Sequence, residues 1–307
     1  MLKPYTWFDI GGNIGISPGL QCKGVYPVGV GGSQQGACMW FNNDTSIPGP
    51  PTIKQNSPLR TYYDTINGYD VFQKMPWRAP GSAKIFSPCG IAGGNPHGCP
   101  AGSAGQHECP GGGFSNGPDA RHYSFDRIVV SEWKAGDVVE AAWGIIANHG
   151  GGYSYRLCKV PPGGRSEVTE ECFQKMPLEF YGDEQYVQYG EGGQRFAFKA
   201  NRTRNGTFPK GSQWTKNPIA PCKGIMGGFG DLKPGCPGGT QFPPPAPGLA
   251  GFGELSSAPG YPTFYFSIID KLKVPKLEPG DYVLSFRWDC EQTTQVWTAC
   301  SSIRINA

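Results

Sequence analysis

The 307-residue chain has a formal net charge of +3 with 17% charged residues. Its Lys and Arg are scattered in no run longer than a pair, which excludes a nucleic-acid surface and leaves an uncharged polymer as the easier partner. Gly 47 and Pro 30 make up about a quarter of the residues, but 8 Trp, 14 Tyr and 17 Phe supply the bulky apolar groups that disordered chains lack.

Residues 1–80 are rich in breakers, among them Gly11-Gly12, Pro18-Gly19, Gly31-Gly32 and Pro48-Gly49-Pro50-Pro51. Residues 81–120 hold Cys89-Gly90, His97-Gly98-Cys99-Pro100 and His107-Glu108-Cys109-Pro110. The spacing fits no zinc module, and the glycines suit a disulfide-pinned loop. With 11 cysteines in the chain one is left over, and this cluster is the expected place for it. Such a count is costly in a reducing cytosol and points to an oxidising compartment. Three Asn-x-Thr triplets, at Asn43, Asn201 and Asn205, agree with that. No window approaches the roughly 18 apolar residues of a membrane span. The opening Met1-Leu2-Lys3-Pro4-Tyr5 has no apolar signal core, so a secreted protein would carry its signal ahead of Met1.

Regular structure begins at about residue 121. Tyr123, Phe125 and residues 128–130 read as a strand, Gly136-Asp137 turns, and residues 138–146 form the next strand. Thr169 caps a short helix that ends before Pro177. Residues 186–189, 195–199, 264–269, 282–288 and 303–305 add strands, and Cys222 and Cys236 flank a glycine-rich hairpin. Short strands without βαβ alternation or repeats predict an all-β fold, an immunoglobulin or fibronectin III-like β-sandwich with long disulfide-pinned loops. A single domain over 1–307 is expected, with 121–307 building the sandwich. Residues 1–120, with too little core to fold alone, are expected to lie over it as loops.

Two stretches carry chemistry. In Ala142-Trp143-Gly144-Ile145-Ile146-Ala147-Asn148-His149-Gly150-Gly151-Gly152-Tyr153-Ser154-Tyr155-Arg156, an apolar strand ends on a histidine and resumes alternation beyond three glycines. Near the end stands Trp288-Asp289-Cys290-Glu291-Gln292-Thr293-Thr294-Gln295-Val296-Trp297-Thr298-Ala299-Cys300. No nucleophile elbow, phosphate loop or dinucleotide fingerprint competes with them. Glu170-Glu171 and Asp183-Glu184 read as solvated acidic pairs before they read as a glycosidase dyad.

Together these stretches resemble the lytic polysaccharide monooxygenases, secreted copper enzymes that oxidise chitin, cellulose and related polymers. The resemblance spans about residues 137–305. It implies that His149 is a copper ligand, an imidazole nitrogen beside the amine and imidazole of an amino-terminal histidine, a set that suits tetragonal Cu(II). Family members open with a His-Gly pair, and Met1-Leu2-Lys3-Pro4 resembles such an opening with that pair missing. The resemblance further implies Trp297 at the axial aromatic position, where Tyr or Phe is usual. It places Gln295 as a polar group beside the metal, with Arg156, Tyr153 and Tyr155 near by. Early aromatics (Trp7, Trp40, Tyr62, Tyr63, Trp77) are candidates for a substrate face, or pack under loops. Trp288 is read as core around a Cys290–Cys300 disulfide. Proximity and resemblance also pair Cys22 with Cys38, Cys158 with Cys172 and Cys222 with Cys236. The expectation is a secreted copper-dependent enzyme acting on polysaccharide, with no nucleic-acid or membrane partner. His149 would lie on a flat exposed face above Trp297, with the amino terminus within reach. Without that histidine no copper is expected, and a non-catalytic glycan-binding or extracellular structural module is the alternative.

Overall fold

The computed structural model describes residues 40–49, 72–92, 94, 118–125, 128–145, 148–189, 193–223, 236, 238–251 and 266–306. In chain order the strands are β1 (Trp40–Asn42), β2 (Ile91–Ala92), β3 (Val130–Lys134), β4 (Val138–Trp143), β5 (Gly152–Lys159), β6 (Glu179–Phe180) and β7 (Glu184–Tyr189). They continue with β8 (Arg195–Lys199), β9 (Arg202–Thr203), β10 (Trp214–Lys216), β11 (Phe266–Lys273), β12 (Gly280–Asp289) and β13 (Val296–Asn306). An eight-stranded sheet runs β2-β1-β13-β12-β5-β10-β9, with β3 parallel to β13. A five-stranded sheet runs β4-β11-β7-β8, with β6 beside β11. The protein is the expected all-β sandwich.

Strand alternation builds the core. Tyr282, Leu284, Phe286 and Trp288 of β12 share one face with Tyr153, Tyr155 and Leu157 of β5, because Leu284 pairs with Leu157 and Phe286 with Tyr155. They pack against Trp143, Val187, Ile268 and Leu272 of the other sheet. Trp143 meets Tyr153 edge-on at 4.7 Å. Each such side chain contributes about 1.5–3 kcal/mol on burial. One carboxylate interrupts this core. Asp270 accepts hydrogen bonds from the Tyr153 hydroxyl at 2.8 Å, the Tyr155 hydroxyl at 3.3 Å and Gln185 Nε2 at 3.1 Å. Burial pushes its pKa up to about 6, against the pull of those donors.

The other face of the eight-stranded sheet is buried too. Residues 72–92 and a helix, α1 (Glu170–Gln174), cover Ser285, Arg287 and Asp289 of β12 and Arg156 of β5. The α1 cap is as expected: the Thr169 hydroxyl accepts from the Cys172 amide at 3.2 Å. The Cys158–Cys172 disulfide ties α1 to β5, and Cys222 pairs with Cys236, both pairings as expected.

Cys300 differs from expectation: it pairs with Cys89, 211 residues away in sequence, and Cys290 is a buried free thiol. The reason is strand parity. Cys300 lies opposite Ser285 on the outer face, whereas Cys290, two residues on from Trp288, packs in the sandwich core. The unpaired cysteine among the described residues is therefore Cys290, outside the 81–120 cluster. Cys22, Cys38, Cys99, Cys109, His97 and His107 lie outside the described residues. The early segment also does more than cover the sandwich. β1 pairs with the start of β13, Phe41 opposite Trp297, and β2 pairs with β1.

Candidate functional site

The corner between β4 and β5 is held from three sides. The Asn148 side chain donates to the carbonyls of Ile219 at 2.9 Å and Gly251 at 3.1 Å. Its Oδ1 accepts from the Gly150 amide and from Asn217 Nδ2, both at 2.9 Å. Gly150 and Gly151 have φ of 63° and 75°, a conformation that favours glycine. At Gly151 a Cβ would also fall 2.0 Å from the Asp289 carbonyl oxygen, so the strand end at Asp289 abuts the corner.

The second sequence stretch closes over the first. The amides of Glu291 and Gln292 both donate to the His149 carbonyl at 3.1 Å, and Trp288 Nε1 donates to the Gly150 carbonyl at 2.6 Å. The Trp288-Asp289-Cys290-Glu291-Gln292 run thus fixes the backbone that carries the imidazole.

His149 is 5% exposed, so it does not stand on a flat open face as expected. Its ring lies 6.2 Å from that of Trp288 at 20°, and Trp288 in turn lies 6.2 Å from Trp297 at 29°. Phe41 stacks on Trp297 at 4.5 Å. The aromatic ring beside His149 is therefore Trp288, with Trp297 one ring further away. Strand register dictates this, because Trp288 and Trp297 are directly paired on the core face and Trp288 sits on the strand next to β5. Gln295 lies at the far side of the row, its Oε1 accepting from Trp297 Nε1 at 3.1 Å.

Burial lowers the His149 pKa to about 4, with a hydrogen bond to the Gln292 side chain opposing the shift. The imidazole is neutral at neutral pH, the form that ligates metals. Gln292 is a site residue that sequence reasoning passed over. The signal was its place four residues after Trp288, inside the stretch from Trp288 to Cys300 on which the resemblance rests.

Arg156 is not brought to the corner. On β5 Tyr153, Tyr155 and Leu157 face the core while Ser154 and Arg156 face outward, and Arg156 lies four residues along from Gly152, about 13 Å at strand rise. There it pairs with Glu170 at 2.5 Å and donates to Ser285 Oγ at 2.9 Å. Arg287 joins the same carboxylate at 2.9 Å and pairs with Asp289 at 2.6 Å, while the Asp289 carboxylate also accepts from the Gly81 amide. This network holds the 72–92 segment and α1 on the sheet. Tyr153 and Tyr155 belong to the Asp270 cluster.

Among the described residues no group of three or more His, Cys, Asp or Glu side chains is placed to hold a metal ion. The corner supplies one neutral imidazole, which suits copper as a single nitrogen ligand. It does not complete a copper centre. Residues 1–39, including the amino terminus that the resemblance would bring to His149, lie outside the described residues.

Comparison with known proteins finds a lytic polysaccharide monooxygenase that is similar to this chain in sequence. The chain is 25% identical over 193 residues to AA13 family lytic polysaccharide monooxygenase A of Pyricularia oryzae, covering 58% of this chain and 43% of that protein. The match thus spans less than half of that relative's length. Among solved structures, a lytic polysaccharide monooxygenase AA15 from Thermobia domestica in the Cu(I) state aligns over 78% of this chain and 91% of its own, with a TM-score of 0.31 at 15% identity. No family model matches the chain.

Proposed function

We propose that this protein is a secreted, copper-dependent polysaccharide monooxygenase in which His149 is one of the copper ligands. The observation that carries the reading is the His149 corner itself: a neutral imidazole whose backbone is held by the Glu291 and Gln292 amides and whose ring is packed by Trp288. Its second and third nitrogens would come from a histidine at the start of the mature chain. Copper, when bound, supplies the redox chemistry that oxidises a β-linked polysaccharide.

The chain's own residues have the task of orientation. The three hydrogen bonds to the His149 and Gly150 carbonyls hold the corner against the strand end, and the Gln292 hydrogen bond biases how the imidazole is turned. Trp288 covers one side of the ring, and Trp297 stacks behind Trp288. Gln295 is buried and bonded to Trp297 Nε1, one ring beyond Trp288, where it braces the aromatic row behind the corner. Secretion is supported by three disulfides among the described residues. No helix among the described residues is long and apolar enough to cross a membrane.

The reading is tested by incubating a form with His-Gly ahead of Met1 with copper, a reductant, an oxygen source and chitin or cellulose. Oxidised oligosaccharides by mass spectrometry are expected, and His149→Ala abolishes them. Binding to the polymer without any oxidised product supports the glycan-binding module instead.

A further inference from the structure

The three Asn-x-Thr triplets occupy different places in the fold. Asn43 is 6% exposed, its amide donates to the Gly94 carbonyl at 2.7 Å, and Thr45 is buried with its hydroxyl donating to the Thr294 carbonyl at 2.6 Å. That triplet is wedged between β1 and the loop before β13. Asn201 and Asn205 are both exposed, and they bracket β9. β9 is the outermost strand of the eight-stranded sheet, its ladder to β10 pairing Thr203 with Trp214 and Arg202 with Thr215. Asn205 opens a turn with Gly206, φ 70°, and its amide donates to the Thr203 hydroxyl at 3.1 Å. Phe208 follows and is 46% exposed.

We propose that Asn201 and Asn205 are N-glycosylation sites whose glycans cover the β9 edge and the Phe208 ring, and that Asn43 stays unmodified in the folded protein. Unpaired sheet edges and exposed apolar rings are the places where β-proteins associate, and a bulky hydrophilic glycan blocks both. The donor is an oligosaccharide linked to a lipid diphosphate. The asparagine side-chain nitrogen bonds to its anomeric carbon, the bond from that carbon to the diphosphate oxygen breaks, the diphosphate leaves with the electron pair, and the nitrogen gives up one proton. Nothing is oxidised or reduced. Transfer takes place on the extended chain, so the fold decides which modified chains survive. Asn43 is buried and leaves a glycan no room, whereas Asn201 and Asn205 are exposed to solvent.

The proposal rests on the secretion half of the proposed function and not on copper. The test is to secrete the full chain from a glycosylating eukaryotic host, isolate the soluble disulfide-bonded protein, and remove glycans enzymatically in heavy-oxygen water before peptide mapping. The expected result is the Asn-to-Asp label at Asn201, Asn205 or both and none at Asn43, with aggregation on warming faster after deglycosylation than before. Unlabelled asparagines at both edge positions, or a label at Asn43 in the folded fraction, overturn the site assignment. Unchanged aggregation after deglycosylation overturns the edge-covering role. Loss of copper binding or of oxidised products speaks only to the proposed function, since glycan mapping reads neither.

Discussion

The two faces of the eight-stranded sheet are both buried, yet they are stabilised by opposite chemistry. Inward, Tyr282, Leu284, Phe286 and Trp288 pack on a second sheet through apolar and aromatic contacts. Outward, Ser285, Arg287 and Asp289 of the same strand, with Arg156 beside them, bond to α1 and to residues 81–88 through ion pairs and backbone hydrogen bonds. Dispersion and water release stabilise the first face. The second depends on complete pairing, because an uncompensated buried charge costs more than a good pair gains. Alternation in a strand therefore does not say which face meets water. It says which face meets a sheet and which meets loops that must be recruited group by group.

The largest expected effect comes from breaking the outward face. Arg287→Ala strands the Asp289 carboxylate, and equilibrium unfolding in urea should show a loss of about 3–5 kcal/mol. A smaller loss at a fully buried guanidinium would mean that water already serves that face. On the inward face Leu284→Ala should cost about 2–5 kcal/mol through lost burial and the cavity left behind, with no change in its salt dependence.

Asp270 sharpens the contrast, since it is the carboxylate that the inward face tolerates. Its folded pKa of about 6 lies above the 3.8 of an ordinary aspartate, so between those values the folded chain holds a proton that the unfolded chain has released. Its contribution to stability is fully present below about pH 4 and falls as pH rises through 6. Asp270→Asn removes that dependence, and its stability relative to wild type should improve by about 3 kcal/mol between pH 4 and pH 7. A constant difference across that range would contradict the assigned burial of the charge. The smallest effect is expected at Cys290, a small apolar filler whose thiol burial drives its pKa up. Cys290→Ala should cost about 1 kcal/mol, and the native thiol should resist alkylation until the protein unfolds.

Much of the inward face was legible in the sequence, since Tyr282 to Trp288 alternate with period two and Thr169 announces its helix. The corner was legible as well, because the histidine lies between an apolar strand and three glycines. The outward face was not, because Arg287 and Asp289 look like solvent-facing positions until residues 72–92 are seen lying on them. The same blindness sent Arg156 to the wrong place and paired Cys300 with its sequence neighbour instead of Cys89. Trp297 was preferred to Trp288 beside His149 because motif spacing carries no register, and register is what sets Trp288 against the imidazole.

The central claim is that His149 ligates copper, and electron paramagnetic resonance of the Cu(II)-loaded protein with His-Gly ahead of Met1 tests it most directly. The account predicts a tetragonal Cu(II) spectrum with couplings to three nitrogens, one of which disappears in His149→Ala together with tight binding. A spectrum and affinity unchanged by His149→Ala would contradict it.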